Sequence, residues 1–179
     1  MKISMMIFCL LTLTATAQDA LPLGDNGMVT FEGVVEVPKM PKGLLFENAK
    51  SWIASYYKSP RTIQAEDDME GTISTKSMFR IKLEPGGTEP GGVINYTMDI
   101  KVRAGKYKYS ISNLRHSDKT EKIGSGGKLE RSEPLCGHKE MKEEQWQGIK
   151  AQTKSEVEKL IEAFKKGMEY TSPDESDDF

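Results

Sequence analysis

The chain has 179 residues, with 25 Lys and Arg against 27 Asp and Glu, and 37% of its residues are apolar. A net charge of -2 argues against a general nucleic-acid binder, whose footprint is strongly basic. No apolar run of about twenty residues offers a spanning helix, and two cysteines are too few for a disulfide-rich scaffold.

Met1-Lys2-Ile3-Ser4 is a short basic start, Met5 to Leu13 an apolar stretch, and Thr14-Ala15-Thr16-Ala17 a run of small residues. This three-part order is that of a secretory signal peptide, so residues 1–17 are expected to be cut off between Ala17 and Gln18. The mature chain is then expected to be periplasmic or secreted. It keeps 162 residues and a charge of -3, because Lys2 leaves with no acid. Cys136 is its single thiol, and in an oxidising compartment such a thiol is buried, reactive or paired between chains.

Residues 18–28, with Pro22, Gly24 and Gly27, read as a flexible leader. A domain over 29–168 follows. Val29 to Val37 alternates as a half-buried strand that Pro38 ends. Leu45, Ala49, Trp52, Ile53 and Tyr56 recur at helical spacing, which predicts a helix over about 42–58 with Pro41 at its first turn. Four strands come next: a short one at Ile63 and Ala65, then one carrying Ile73, Phe79, Ile81 and Leu83. After the Pro- and Gly-rich loop 84–92, Ile94, Tyr96, Met98, Ile100 and Val102 alternate without a fault, and Tyr107, Tyr109 and Ile111 mark the fourth. Residues 115–137 are polar and Gly-rich, either a loop or a weakly paired hairpin. Trp146, Ile149, Thr153, Val157, Leu160, Ile161, Phe164 and Met168 lay one stripe along a second helix from about Lys139. Residues 169–179 form an acidic tail with the composition of disorder.

A tight turn at Ala104-Gly105 sets the register of the last two strands. It pairs Val102 with Tyr107, Ile100 with Tyr109 and Met98 with Ile111 on the buried face, and Lys101 with Lys108 on the other. The fold class is α+β: a single antiparallel sheet in β-α-β-β-β-β-α order with both helices on one face.

The stretch Val34-Val35-Glu36-Val37-Pro38-Lys39-Met40-Pro41-Lys42, the helix with Ala49-Lys50-Ser51-Trp52, and the hairpin from Val93 through Val102 to Gly105 and Ile111 resemble a known family. It is the domain of unknown function 4468, with a TBP-like fold, found in exported proteins of the Bacteroides group. The resemblance covers roughly residues 29–116 and implies the same element order. It brings no catalytic residues with it, and fold does not imply function.

A search for chemistry finds little. The two histidines, His116 and His138, lie outside any nucleophile-elbow pattern. Cys136-Gly137-His138 offers two soft ligands where a structural zinc site takes four. Gly124-Ser125-Gly126-Gly127-Lys128 lacks the spacing of a phosphate loop, and Leu129 stands where Ser or Thr belongs. Glu66, Asp67, Asp68 and Glu70 depart from calcium-loop spacing. No catalytic residue, metal or cofactor is expected.

The exposed sheet face carries more content. Strand parity collects Lys76, Arg80, Lys82, Lys101, Arg103, Lys106 and Lys108 there, against Asp99. The ordinary reading is a solvated face. The sharper one is a ligand-binding face, with Lys76, Arg80, Lys101, Arg103 and Lys108 receiving an anionic glycan or an acidic protein. Aromatic rings are absent from it, which disfavours single-stranded nucleic acid. The expected function is an exported, non-catalytic interaction module. The alternatives are an enzyme whose groove sequence does not reveal, or a structural subunit of an envelope assembly.

Overall fold

Strand alternation and helical spacing both reappear in the computed structural model, which describes residues 20–84, 86–118, 123–135 and 141–169. The signal segment, Cys136, His138 and residues 170–179 of the tail lie outside the described residues. In chain order come β1 (Phe31–Glu36), α1 (Lys42–Tyr57), a 3-10 turn (Pro60–Thr62), β2 (Ile63–Asp67), β3 (Thr72–Lys82), β4 (Pro90–Arg103), β5 (Lys106–Ser117), β6 (Gly127–Lys128) and α2 (Glu143–Met168). The sheet is antiparallel in the order β1-β5-β4-β3-β2, and β6 lies beside β5.

The β4–β5 register is the expected one, with Ile100 opposite Tyr109 and Lys101 opposite Lys108. Ile94, Tyr96, Met98, Ile100, Val102, Tyr107, Tyr109 and Ile111 all point to one face and are buried. Both helices cover that face. Phe164 of α2 meets Trp52 of α1 at 5.0 Å between ring centres, and reaches Tyr107 at 5.5 Å and Tyr109 at 6.1 Å. Gly33 occupies an inward position of β1 because Tyr109 lies over it: a Cβ there would meet the phenol oxygen at 2.6 Å.

Besides residues 90–92, which the sequence reading places in the loop 84–92 and which begin β4, three segments differ from the sequence expectation. Residues 20–30 are not a loose leader: Leu23 bridges Val29, the Thr30 amide donates to the Pro22 carbonyl at 3.0 Å, and Val29 is buried. The second helix begins at Glu143, four residues later than expected, where Gln145 Oε1 accepts the Lys142 amide at 3.1 Å. Glu143 and Glu144 in its first turn and Lys165 and Lys166 in its last suit the helix dipole.

The third difference is at the end of β5. Asn95 pairs with Arg115 while Thr97 pairs with Ser112, so β5 carries an extra residue, and Asn113 takes the left-handed conformation that absorbs it. The bulge reverses parity. Leu114 and His116 turn inward, Arg115 turns outward, and β5 continues to Ser117, where the weakly paired hairpin to β6 is formed.

Candidate functional site: the uncovered sheet face

Among the described residues one sheet face has no helix on it, and the register of each strand pair places its side chains in rows. Starting at the β4–β5 turn, the first row holds Glu36, Lys106 and Arg103, and the second Val34, Lys108, Lys101, Thr72 and Asp67. The third holds Glu32, Ser110, Asp99, Ser74 and Ala65, and the fourth Ser112, Thr97 and Lys76. Beyond the bulge, Lys128, Arg115, Asn95 and Met78 share a row, followed by Ser117, Val93 and Arg80. Lys82 closes the face opposite Pro90.

This map divides the five basic residues singled out from sequence. Lys101, Arg103 and Lys108 gather at the β4–β5 turn. Arg80 lies eight positions along β4 from Lys101, roughly 25 Å away at strand rise, with Lys76 between them. At the turn, β1 supplies acids that a parity argument confined to β3, β4 and β5 leaves out: Glu32 binds Lys108 at 2.7 Å and Glu36 stands 3.8 Å from Lys106. Lys101 faces Lys108 across the strand pair, a like-charge contact that an anion would relieve. Beside this pair is a depression of about 430 Å³, floored by the short side chains Ala65, Ser74 and Ser110. Asp99 at its rim accepts the Ser74 hydroxyl at 2.6 Å.

At the far end, sequence parity missed Arg115 and Lys128. The bulge brings Arg115 out, and the two-residue β6 sets Lys128 beside it, 3.8 Å from Glu130. A residue of helical or strand period carries no sign of such a bulge, although Asn113 is a residue type suited to one. Met78, Arg80 and Lys82 line a cavity of about 450 Å³ with Val93, Ser117 and Asp118, and Arg115 and Lys128 stand in the same row as Met78.

Two polar groups inside the molecule are structural. His116 is fully buried; the Gly126 amide donates to Nδ1 at 2.9 Å, so Nε2 carries the proton and donates to the Gly91 carbonyl at 2.7 Å. Burial pushes its pKa below the ordinary 6.5, against the opposing pull of the Gly91 hydrogen bond and Asp118. Gly92, at φ +90°, has His116 Nε2 where a Cβ would sit. The Tyr57 and Tyr96 hydroxyls bond at 2.9 Å, and burial first of all raises both phenols, so they stay protonated. Among the described residues no group of three or more His, Cys, Asp or Glu is placed to hold a metal ion, and no helix is long and apolar enough to cross a membrane.

An antiparallel sheet with both helices on one face and the other bare is the class of the TBP-like α+β domains. Residues 31–117, from β1 to the end of β5, match the domain of unknown function DUF4468 with TBP-like fold. Among solved structures, a TBP-like protein from Parabacteroides distasonis ATCC 8503 is similar with a TM-score of 0.66 and 20% identity, over 85% of this chain and 99% of that one. A DUF4468 family protein from Bacteroides ovatus ATCC 8483 is similar with a TM-score of 0.57 and 14% identity, over 90% and 95%. At these identities the likeness is one of fold. No curated protein matches the chain.

Proposed function

We propose that the protein is an exported, non-catalytic binding module that receives an anionic partner, an acidic protein segment or an anionic glycan, on its uncovered sheet face. The observation that carries this reading is the charge balance of that face. Among the described residues Lys76, Arg80, Lys82, Lys101, Arg103, Lys106, Lys108, Arg115 and Lys128 share it with Glu32, Glu36, Asp67 and Asp99, with Asp118 beside Arg80 and Lys82 and Glu130 beside Lys128, in a chain whose net charge is -2. A cationic surface on an acidic protein attracts anions by direct contact and by steering their approach. The flat, strand-borne geometry suits an extended partner better than a small substrate, which binding sites ordinarily enclose.

The test is binding of poly-glutamate and of heparin to the purified chain at two salt concentrations. Binding that weakens with salt, and falls about tenfold or more in Lys101→Glu with Lys108→Glu, supports the reading. Salt-independent binding, or none to either polyanion, refutes it.

A further inference from the structure

The two outer edges of the sheet are complementary to each other. β2 pairs with β3 only from Thr72 to Thr75, so from Lys76 to Ile81 the outer edge of β3 has no strand partner among the described residues. The gap closes at Lys82, whose amide donates to Gln152 Oε1 at 3.1 Å and whose carbonyl accepts Gln152 Nε2 at 3.0 Å. The backbone of Lys82 therefore points outward, and by alternation so do the backbones of Lys76, Met78 and Arg80. A cavity of about 300 Å³ lies on the helical side of this edge, between Thr62, Tyr56, Tyr57 and Glu156 and the strand from Ser77 to Phe79.

At the opposite edge, β1 spans six residues, the length of the gap. The Val37 amide bonds back to Gly105 at 2.8 Å, so the odd positions of β1 face β5, and Glu32, Val34 and Glu36 point their backbones outward. The side chains of these three lie on the uncovered face, as do those of Lys76, Met78 and Arg80. One edge thus reads acid, valine, acid, and the other base, methionine, base. Val34 is 59% exposed and Met78 55%.

We propose that β1 of one copy fills the open edge of β3 in the next, joining copies of this chain head to tail. Glu32 then stands opposite Arg80, Val34 opposite Met78 and Glu36 opposite Lys76. Strand directions alternate through β1, β5, β4 and β3, so two copies side by side with the same face outward bring β1 antiparallel to β3. Main-chain hydrogen bonds supply the attraction and the charge pattern sets the register. Two-fold pairing is opposed: two β3 edges meeting at Met78 place Lys76 against Arg80, and two β1 edges meeting at Val34 place Glu32 against Glu36. Charged edges ordinarily keep sheets apart; here the two edges have opposite sign. The contact is heterologous and gives a linear array unless its rotation closes a ring.

Sedimentation velocity of the purified chain across a concentration series tests this. Association that rises with concentration and falls with salt is expected. Glu32→Lys with Glu36→Lys, and separately Lys76→Glu with Arg80→Glu, each weaken it about tenfold or more. An equimolar mixture of the two variants restores it, because every contact between unlike copies is again acid against base. Met78→Lys, a single exposed change, provides a second disruption where a double reversal fails to fold. A wild-type chain that stays monomeric to roughly 1 mM, reversals without effect, or a mixture that stays monomeric would each overturn the proposal. The Glu32→Lys and Glu36→Lys variant keeps Lys101 and Arg115, so its polyanion binding is read separately from its loss of assembly.

Discussion

β4 shows both faces of the molecule in alternate residues. Ile94, Tyr96, Met98, Ile100 and Val102 are sealed under the helices, while Asn95, Asp99, Lys101 and Arg103 stand exposed on the other side. The covered face fixes the register, because a one-residue slip would exchange every buried side chain for a polar one. The bare face inherits that register without contributing to it, so its residues can serve contacts with other molecules. Core and surface are therefore specified by one strand at neighbouring positions.

Adjacent substitutions test how far that division goes. Ile100→Ala removes a fully packed side chain and is expected to cost about 2–5 kcal/mol in denaturant unfolding, whereas Lys101→Ala stays within about 0.5 kcal/mol. Similar losses at both positions would erase the contrast. A second effect concerns His116, a fully buried imidazole of the covered face. Its depressed pKa means that the folded state binds a proton less well than the unfolded state. Stability is then full above about pH 6.5 and falls as the pH drops from there toward the folded-state value. Protonating Nδ1 also sets a proton against the Gly126 amide. Unfolding followed from pH 7.5 to 5 should show this loss, and His116→Gln should remove its part of the pH dependence.

The smallest effect sharpens the picture of the core. Tyr107 Oη is a buried side-chain oxygen without a hydrogen-bond partner among the described residues, and its phenol is pushed up to about 12, first by burial and then by Glu169. Tyr107→Phe deletes that unsatisfied group while keeping the ring against Phe164. The expected result is unchanged stability or a gain of about 1 kcal/mol; a loss of several would mean that the hydroxyl is bonded in solution.

Much of the fold is legible in sequence because β4 and the first half of β5 alternate without interruption, and a two-residue turn leaves one register between them. Legibility stops at Asn113. A bulge leaves no periodic trace, so the inward position of His116, the outward position of Arg115 and the pairing with β6 are consequences of tertiary packing. The candidate site was half legible for a related reason. Parity places Lys76, Arg80, Lys101, Arg103 and Lys108 on the uncovered face, but the sheet order that seats β1 beside β5, and with it Glu32 against Lys108, depends on contacts between distant segments. Glu143 as the helix start was hidden as well, because the cap at Lys142 uses Gln145 where Ser, Thr, Asp or Asn would have announced it.

The central claim is that the uncovered face, and not the helical one, meets the anionic partner. Amide chemical-shift mapping of the isotopically labelled chain titrated with poly-glutamate tests it residue by residue. Perturbations concentrated at Lys101, Arg103, Lys108, Arg115 and their strand neighbours, fading as salt is raised, are the expected result. Shifts confined to α1 and α2, or none at saturating polyanion, would contradict it.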